Sequence, residues 1–198
     1  MVENLTRRLK GLKVLILGFG REGKSTFALI KNICEPGNLY LADQNFETFK
    51  DLYLNEAFRP FILSGDSYLE GLDRFDLIIK TPGIQRSMLL ERVAAEKITS
   101  QADLFLKAFY RQVIGITGTK GKSTTTALIY KIIADHTQNV VMVGNIGLPP
   151  FDLIEKINPK THVVFELSSH QLDDVSNSPH IAILLNIFEE HLDHYPSM

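Results

Sequence analysis

A glycine-rich turn between an apolar run and a long helical pattern does most to constrain how this chain folds. The apolar run begins at Val113, the turn reads Gly115-Ile116-Thr117-Gly118-Thr119-Lys120-Gly121-Lys122-Ser123-Thr124-Thr125, and the helical pattern extends from Lys122 to about Asp135. A strand that passes through such a turn into a helix presents backbone N–H groups at the helix start, where an anion is favoured. Glycines let the backbone approach phosphate oxygens, Lys122 supplies a point charge for the β- and γ-phosphates, and the Ser123 hydroxyl suits Mg²⁺. The spacing departs from the general phosphate-loop pattern, because Ile116 stands five residues before Gly121 and the nearer glycines are Gly115 and Gly118. Gly118, Thr119, Lys120, Gly121, Lys122, Ser123 and Thr124 are the candidate residues for a nucleoside triphosphate.

The same order of features occurs earlier in the chain. Lys13-Val14-Leu15-Ile16-Leu17 suits a buried parallel strand and leads into Gly18-Phe19-Gly20-Arg21-Glu22-Gly23, with a helix-like stretch from Lys24 to Lys31. Leu39-Tyr40-Leu41-Ala42 is a second strand ending in Asp43, about 20 residues after the third glycine, where dinucleotide folds place a ribose-reading carboxylate. Phe61-Ile62-Leu63 and Leu77-Ile78-Ile79-Lys80 read as further strands, Thr81-Pro82-Gly83 as the loop leaving the second, and Leu89 to Glu96 as a helix. Close strand–helix packing explains such a glycine turn as well as a bound phosphate does, and Arg21, Lys24 and Ser25 tilt the balance toward an anion.

A short helical stretch between Ser100 and Arg111 precedes the second unit, which then alternates strands and loops. Asn139 to Val143 leads to Gly144-Asn145-Ile146-Gly147, His162-Val163-Val164-Phe165 ends in Glu166, and Ile181 to Leu185 ends near Asn186. Ligands of open α/β sheets bind at the carboxyl ends of strands, so Asn145, Glu166 and the segment after Asn186 are expected beside the phosphate loop. Glu166 suits a metal, although Ser168 and Ser169 behind it also suit a helix start. The segment Asn186 to Tyr195 gathers Glu189, Glu190, His191, Asp193 and His194, a set open to metal binding, proton transfer or plain solvation. The chain therefore reads as α/β, with a Rossmann-like N-terminal domain over 1–98 and an incomplete P-loop-type central domain over 99–198. The boundary falls near Ile98 to Gln101.

Composition narrows the function classes. A net charge of -2 over 198 residues, without a Lys/Arg run, leaves no footprint for nucleic acid. The polar start, Met1 to Arg8, and the lack of an apolar stretch near the roughly 18 residues of a membrane span point to the cytoplasm. The single cysteine, Cys34, has no metal-ligand spacing around it and reads as a small buried hydrophobe.

Taken together, Thr117 to Thr125, Gly144-Asn145-Ile146-Gly147, Glu166-Leu167-Ser168-Ser169-His170-Gln171-Leu172 and Asn186 through Tyr195 resemble the Mur ligases of peptidoglycan synthesis. With the Gly18 to Gly23 turn and Asp43, the likeness is to the branch that adds D-glutamate to UDP-N-acetylmuramoyl-L-alanine. The resemblance covers essentially the whole chain. It implies ATP-dependent amide-bond formation with Mg²⁺, through an acyl phosphate that the D-glutamate amine then opens. It further implies that Lys122 and Asn145 lie beside the γ-phosphate and reacting carboxylate, that Ser123 and Glu166 hold one Mg²⁺, and that His191 holds a second. The first domain would take the UDP-sugar, with Gly18, Phe19, Gly20, Arg21 and Gly23 near the diphosphate, Asp43 at the uridine end, and Thr81, Pro82 and Gly83 lining the site.

Two departures from the family stand out. Lys120 occupies a position where Asn or Ser is more common, and the chain stops at Met198, short of the remaining central domain and the third domain of such ligases. The expectation is therefore a truncated chain with negligible ligase activity of its own, whose second half exposes apolar edges and is less stable than the first or pairs with another copy. Competing readings are a sibling ligase, a folylpolyglutamate synthase, a non-catalytic nucleotide-sugar binding module, and an NAD-dependent dehydrogenase resting on Gly18, Gly20, Gly23 and Asp43.

Overall fold

Four consecutive aliphatic residues, Val14–Leu17, are completely buried and form β1, the middle strand of a parallel five-stranded sheet. A strand covered on both faces must be apolar throughout, which is why this run carries no polar alternation. The computed structural model describes residues 2–54 and 61–189. The chain divides into two units, Met1–Gln101 and Ala102–Met198.

The first sheet has the order β3-β2-β1-β4-β5, built from β2 (Leu39–Asp43), β3 (Phe61–Ser64), β4 (Leu77–Lys80) and β5 (Ile98–Ser100) around β1. The chain moves outward from β1 through β2 to β3, then returns to the other side of β1 as β4. That reversal opens a crevice at the carboxyl ends of β1 and β4, between connections that leave in opposite directions. Helices α1 (Val2–Leu9), α2 (Arg21–Ile30) and α3 (Arg86–Leu90) accompany this sheet. Leu15, Leu17, Ala42, Phe75, Ile78, Leu89 and Ile98 share one core, extended by the partly buried Tyr40. Tyr40 stacks on Phe61 at 4.8 Å and meets Phe75 edge-on at 5.0 Å.

In the second unit β6 (Val113–Thr117), β7 (Val140–Gly144), β8 (His162–Glu166) and β9 (Ile181–Leu184) form a parallel sheet in the order β7-β8-β6-β9. The long helix α5 (Lys122–Ala134) turns Ile129, Tyr130 and Ile133 toward Ile116, Val140 and Val164, and leaves Leu128 and Ile132 exposed. From α4 (Gln101–Phe109), Phe105 meets Phe165 of β8 edge-on at 5.7 Å. The short α6 (Ser169–Leu172) starts in a capping box, in which Ser168 accepts from the Gln171 N–H and Gln171 accepts from the Ser168 N–H.

Two elements differ from the sequence reading. The helix expected over Leu89 to Glu96 is α3 at Arg86–Leu90 followed by a turn and a 3-10 stretch at Ala95–Lys97. Side chains behind it bond back to the core: Arg92 donates to the Leu69 carbonyl at 3.2 Å, and Lys97 donates to those of Asp73 and Phe75 at 2.9 Å each. These tertiary bonds draw the segment out of helical geometry. Ile98–Ser100, within the Ile98 to Gln101 region read as the domain boundary, is a strand that the sequence reading does not assign, paired with β4 through Ile78 to Lys80.

Candidate functional site

The crevice of the first unit is shaped by two glycines that nothing larger could replace. Gly18 has φ of 90°, and a Cβ there would lie 2.0 Å from the Thr81 Oγ1, while a Cβ on Gly23 would lie 2.1 Å from the Gly18 carbonyl oxygen. The turn after β1, the first turn of α2 and the loop after β4 are thus in direct contact. Gly20 and Gly83 have open space beside them, and Arg21 is exposed. The N-cap residue of α2, Gly20, has no side chain to cap the helix, and the positive end of a helix favours an anion. Lys80, buried to 1 % exposure, donates from Nζ to the Ile84 carbonyl at 3.0 Å and so ties down the loop carrying Thr81, Pro82 and Gly83.

Two residues of this crevice behave differently from the sequence reading. Phe19, expected in the turn near the diphosphate, sends its side chain into the core, the ring 5.8 Å from Phe27 and 5.0 Å from Phe49, and keeps only its backbone in the turn. Its N–H donates to Asp43 Oδ2 at 2.6 Å, and Oδ1 accepts from the Asn45 N–H at 2.9 Å. Asp43 therefore fastens the end of β2 to the glycine turn, and any ligand hydroxyl would share oxygens already engaged.

In the second unit the glycine-rich turn joins β6 to α5. Gly118 and Gly121 have φ of 136° and 85°, values open to glycine at little cost. Its N-cap, Gly121, has no side chain to cap α5 and no acidic residue stands in the first turn, so the N–H groups of Lys122, Ser123 and Thr124 lie at the positive end of the helix dipole. The Lys122 ammonium donates to the carbonyls of Gly118 at 2.6 Å and Thr119 at 2.9 Å, which parks the charge on the loop itself.

Glu166 ends β8, in register with Ile116 of β6, and has no exposed surface. One carboxylate oxygen, Oε1, accepts from the Asn145 side-chain amide at 2.8 Å. The other, Oε2, is buried without a hydrogen-bond partner. An ionised carboxylate in that setting is costly unless a cation or donor completes it. The Asn145 N–H also donates to the Glu166 carbonyl at 3.1 Å, so the two residues are held together by backbone and side chain alike. Gly144 permits this approach, since a Cβ there would sit 2.2 Å from the Glu166 carbonyl oxygen. The exposed Ser123 hydroxyl and the buried Glu166 oxygen are both hard oxygen donors, the type of ligand that Mg²⁺ takes. His191, with Glu190, Asp193, His194 and Tyr195, lies outside the described residues.

Asn186 and Phe188 form a strap across the loop tip; the sequence reading expects the segment after Asn186 beside the phosphate loop but gives neither residue a role there. Thr119 and Lys120 give their N–H groups to Asn186, at 3.0 Å to its carbonyl and 2.8 Å to its Oδ1. The sequence signals for this segment are its place at the carboxyl end of a strand and the run from Asn186 through Tyr195; neither points to the bonds with Thr119 and Lys120.

Residues 116–198 match the Mur ligase middle domain. The full length of the chain aligns at 30% identity with UDP-N-acetylmuramoylalanine–D-glutamate ligase of Acetivibrio thermocellus, and at 34% with that of Ruminiclostridium cellulolyticum. The chain belongs to the Mur ligase family. It spans 43% of the length of each of those two relatives, and 42% of a Geobacillus relative that is 34% identical over 92% of this chain. A solved ligase from Neisseria meningitides, which acts on UDP-N-acetylmuramate and L-alanyl-gamma-D-glutamyl-meso-diaminopimelate, superposes with a TM-score of 0.49 at 16% identity, over 93% of this chain and 63% of its own. Among the described residues of this Mur ligase chain, no helix is long and apolar enough to cross a membrane.

Proposed function

We propose that this chain serves an ATP-dependent ligase that adds D-glutamate to UDP-N-acetylmuramoyl-L-alanine. The observation that carries the proposal is the fully buried Glu166 carboxylate, with one oxygen on Asn145 and the other unpartnered, one strand away from a phosphate loop. Identity to relatives of that name supports the choice of substrates.

In this reading an oxygen of the substrate's alanyl carboxylate attacks the γ-phosphorus of ATP, and ADP leaves. The amine of D-glutamate then attacks the acyl phosphate carbon, phosphate leaves, and the amine gives up its proton as the amide forms. Bound Mg²⁺ would neutralise charge on the phosphoryl oxygens, held by the Ser123 hydroxyl and Glu166 Oε2. His191 is proposed for a second ion. The α5 N-terminus binds phosphate oxygens through the N–H groups of Lys122, Ser123 and Thr124. Lys122 exchanges the loop carbonyls of Gly118 and Thr119 for the β- and γ-phosphates. Asn145, held by Glu166, orients its amide toward the reacting carboxylate and phosphoryl group. In the first unit the turn Gly18 to Gly23 with Thr81, Pro82 and Gly83 takes the diphosphate of the UDP-sugar, and Asp43 lies toward the uridine.

Calorimetric titration of the chain with UDP-N-acetylmuramoyl-L-alanine, in parallel with NAD, tests this function. Saturable binding of the UDP-sugar without binding of NAD is expected. The reverse result would make the first unit a dinucleotide site and overturn the proposal.

A further inference from the structure

We infer that Asn186 is a positioning residue for the phosphate loop, acting through the loop on Lys122; the inference rests on the reading of residues 117–124 as an ATP site. After β9 the ladder to β6 continues for one bond, from the Leu185 N–H to the Thr117 carbonyl at 3.0 Å. The chain then crosses the loop tip. Asn186 uses both ends of its side-chain amide on one residue: Oδ1 accepts from the Lys120 N–H at 2.8 Å, and Nδ2 donates to the Lys120 carbonyl at 2.9 Å. Its own carbonyl accepts from the Thr119 N–H at 3.0 Å. Phe188 adds a second clamp, donating its N–H to Thr119 Oγ1 at 2.9 Å and accepting from that hydroxyl at 3.2 Å.

This strap matters because, among the described residues, the loop tip is otherwise held by the Lys122 ammonium on the Gly118 and Thr119 carbonyls. Thr119 and Lys120 stand between Gly118 and Gly121, both at positive φ, and glycine on either side gives a segment wide conformational freedom. The approach is also built for glycine: a Cβ on Gly118 would lie 3.0 Å and 3.1 Å from the Asn186 carbonyl oxygen and nitrogen. Two consequences follow for phosphate binding. The N–H groups of Thr119 and Lys120 point to the strap, so the cradle consists of the first turn of α5 and the lysine ammonium. The Gly118 and Thr119 carbonyls that receive Lys122 are oriented by the same clamp, which sets where that ammonium waits. Removing the strap leaves the two tip residues to be ordered on binding, an entropic cost on the order of a tenfold loss in affinity or more.

The test compares the 198-residue chain with its Asn186→Ala variant, using Mg·ATP as the calorimetric probe and amide exchange of Thr119 and Lys120 as the conformational readout. Expected are at least tenfold weaker Mg·ATP binding and loss of protection at those two amides, with the melting temperature unchanged. A general structural role would instead lower the melting temperature and speed exchange throughout the unit. Equal ATP affinity in the two proteins overturns the inference and leaves the phosphate-loop reading standing. Absence of saturable ATP binding by the unaltered chain, and by it alone at any Mg²⁺ concentration, overturns the loop reading and the inference with it. Where Asn186→Ala lowers the melting temperature, Thr119→Val decides: it removes only the Phe188 clamp, and a loss of several-fold in Mg·ATP affinity at unchanged stability is the supporting result, unchanged affinity the overturning one.

Discussion

Glu166 shows how a single side chain divides stability from function. Its Oε2 atom is buried with no hydrogen-bond partner among the described residues, a position that a cation or a donor would complete. Glu166→Gln keeps an oxygen for the Asn145 amide and removes the charge. The variant is expected to melt no lower than the parent, and to lose most of any Mg²⁺-dependent gain in nucleotide affinity, about tenfold or more. A melting scan and titrations with and without Mg²⁺ check both halves. Cys34 is the other residue whose environment is decisive. Burial pushes its thiol up to about 11, so it stays protonated and unreactive near neutral pH. The unfolded thiol ionises at lower pH than the folded one, so the unfolded state binds fewer protons between about pH 9 and 11. Stability is therefore unaffected below that window and falls through it, by at most about 1.4 kcal/mol per pH unit. Cys34→Ala should flatten that part of the alkaline unfolding curve.

Elements of this protein are positioned by side chains at their ends more than by propensity. Gln101, the first residue of α4 and buried to 1 % exposure, donates to the Glu22 carbonyl at 3.3 Å, Ser25 Oγ at 3.1 Å and Thr26 Oγ1 at 3.0 Å. Those bonds fix α2, whose N-terminus borders the proposed diphosphate site. Gln101→Leu leaves the buried hydroxyls without their donor, and is expected to cost about 2 kcal/mol of stability and to weaken UDP-sugar binding. Urea unfolding and calorimetry would read the two effects, and a variant as stable as the parent would contradict this role. In the second unit Asp103 of α4 performs a comparable task, accepting from both the N–H and the hydroxyl of Ser176 at 2.9 and 2.7 Å. The loop between α6 and β9 is thereby anchored to a helix more than 70 residues away in sequence.

Both units expose apolar side chains, Phe46 and Phe61 among them in the first. In the second, Leu128 and Ile132 on α5 and Ile181 and Leu184 on β9 are each about half exposed or more, and β9 ends the described part of its sheet. An apolar edge strand with open backbone groups pairs readily with other chains and opens more easily than a central one. Limited proteolysis should therefore cut the second unit before the first, and sedimentation should show concentration-dependent self-association that Leu184→Lys suppresses. A monomer resistant to protease along its whole length would contradict both expectations.

Legibility followed the range of the forces involved. The apolar runs of β1, β4, β6 and β8 are legible in sequence because a strand buried on both faces is apolar along most of its length, and Gly18, Gly118 and Gly121 because their backbone geometry suits glycine alone. The same local rules marked the two strand–turn–helix units, the carboxylate at the end of β8 and the α/β class. Tertiary structure alone decided that β5 completes the first sheet, because three residues carry too little pattern to announce a strand. It decided that Phe19 turns inward, since only the packing of Phe27 and Phe49 makes room for the ring. It also decided that Asn186 grips Lys120, a contact between residues 66 apart in sequence. Local sequence determines which conformations a segment can hold, whereas hydrogen bonds between distant segments exist only after the sheet has brought them together.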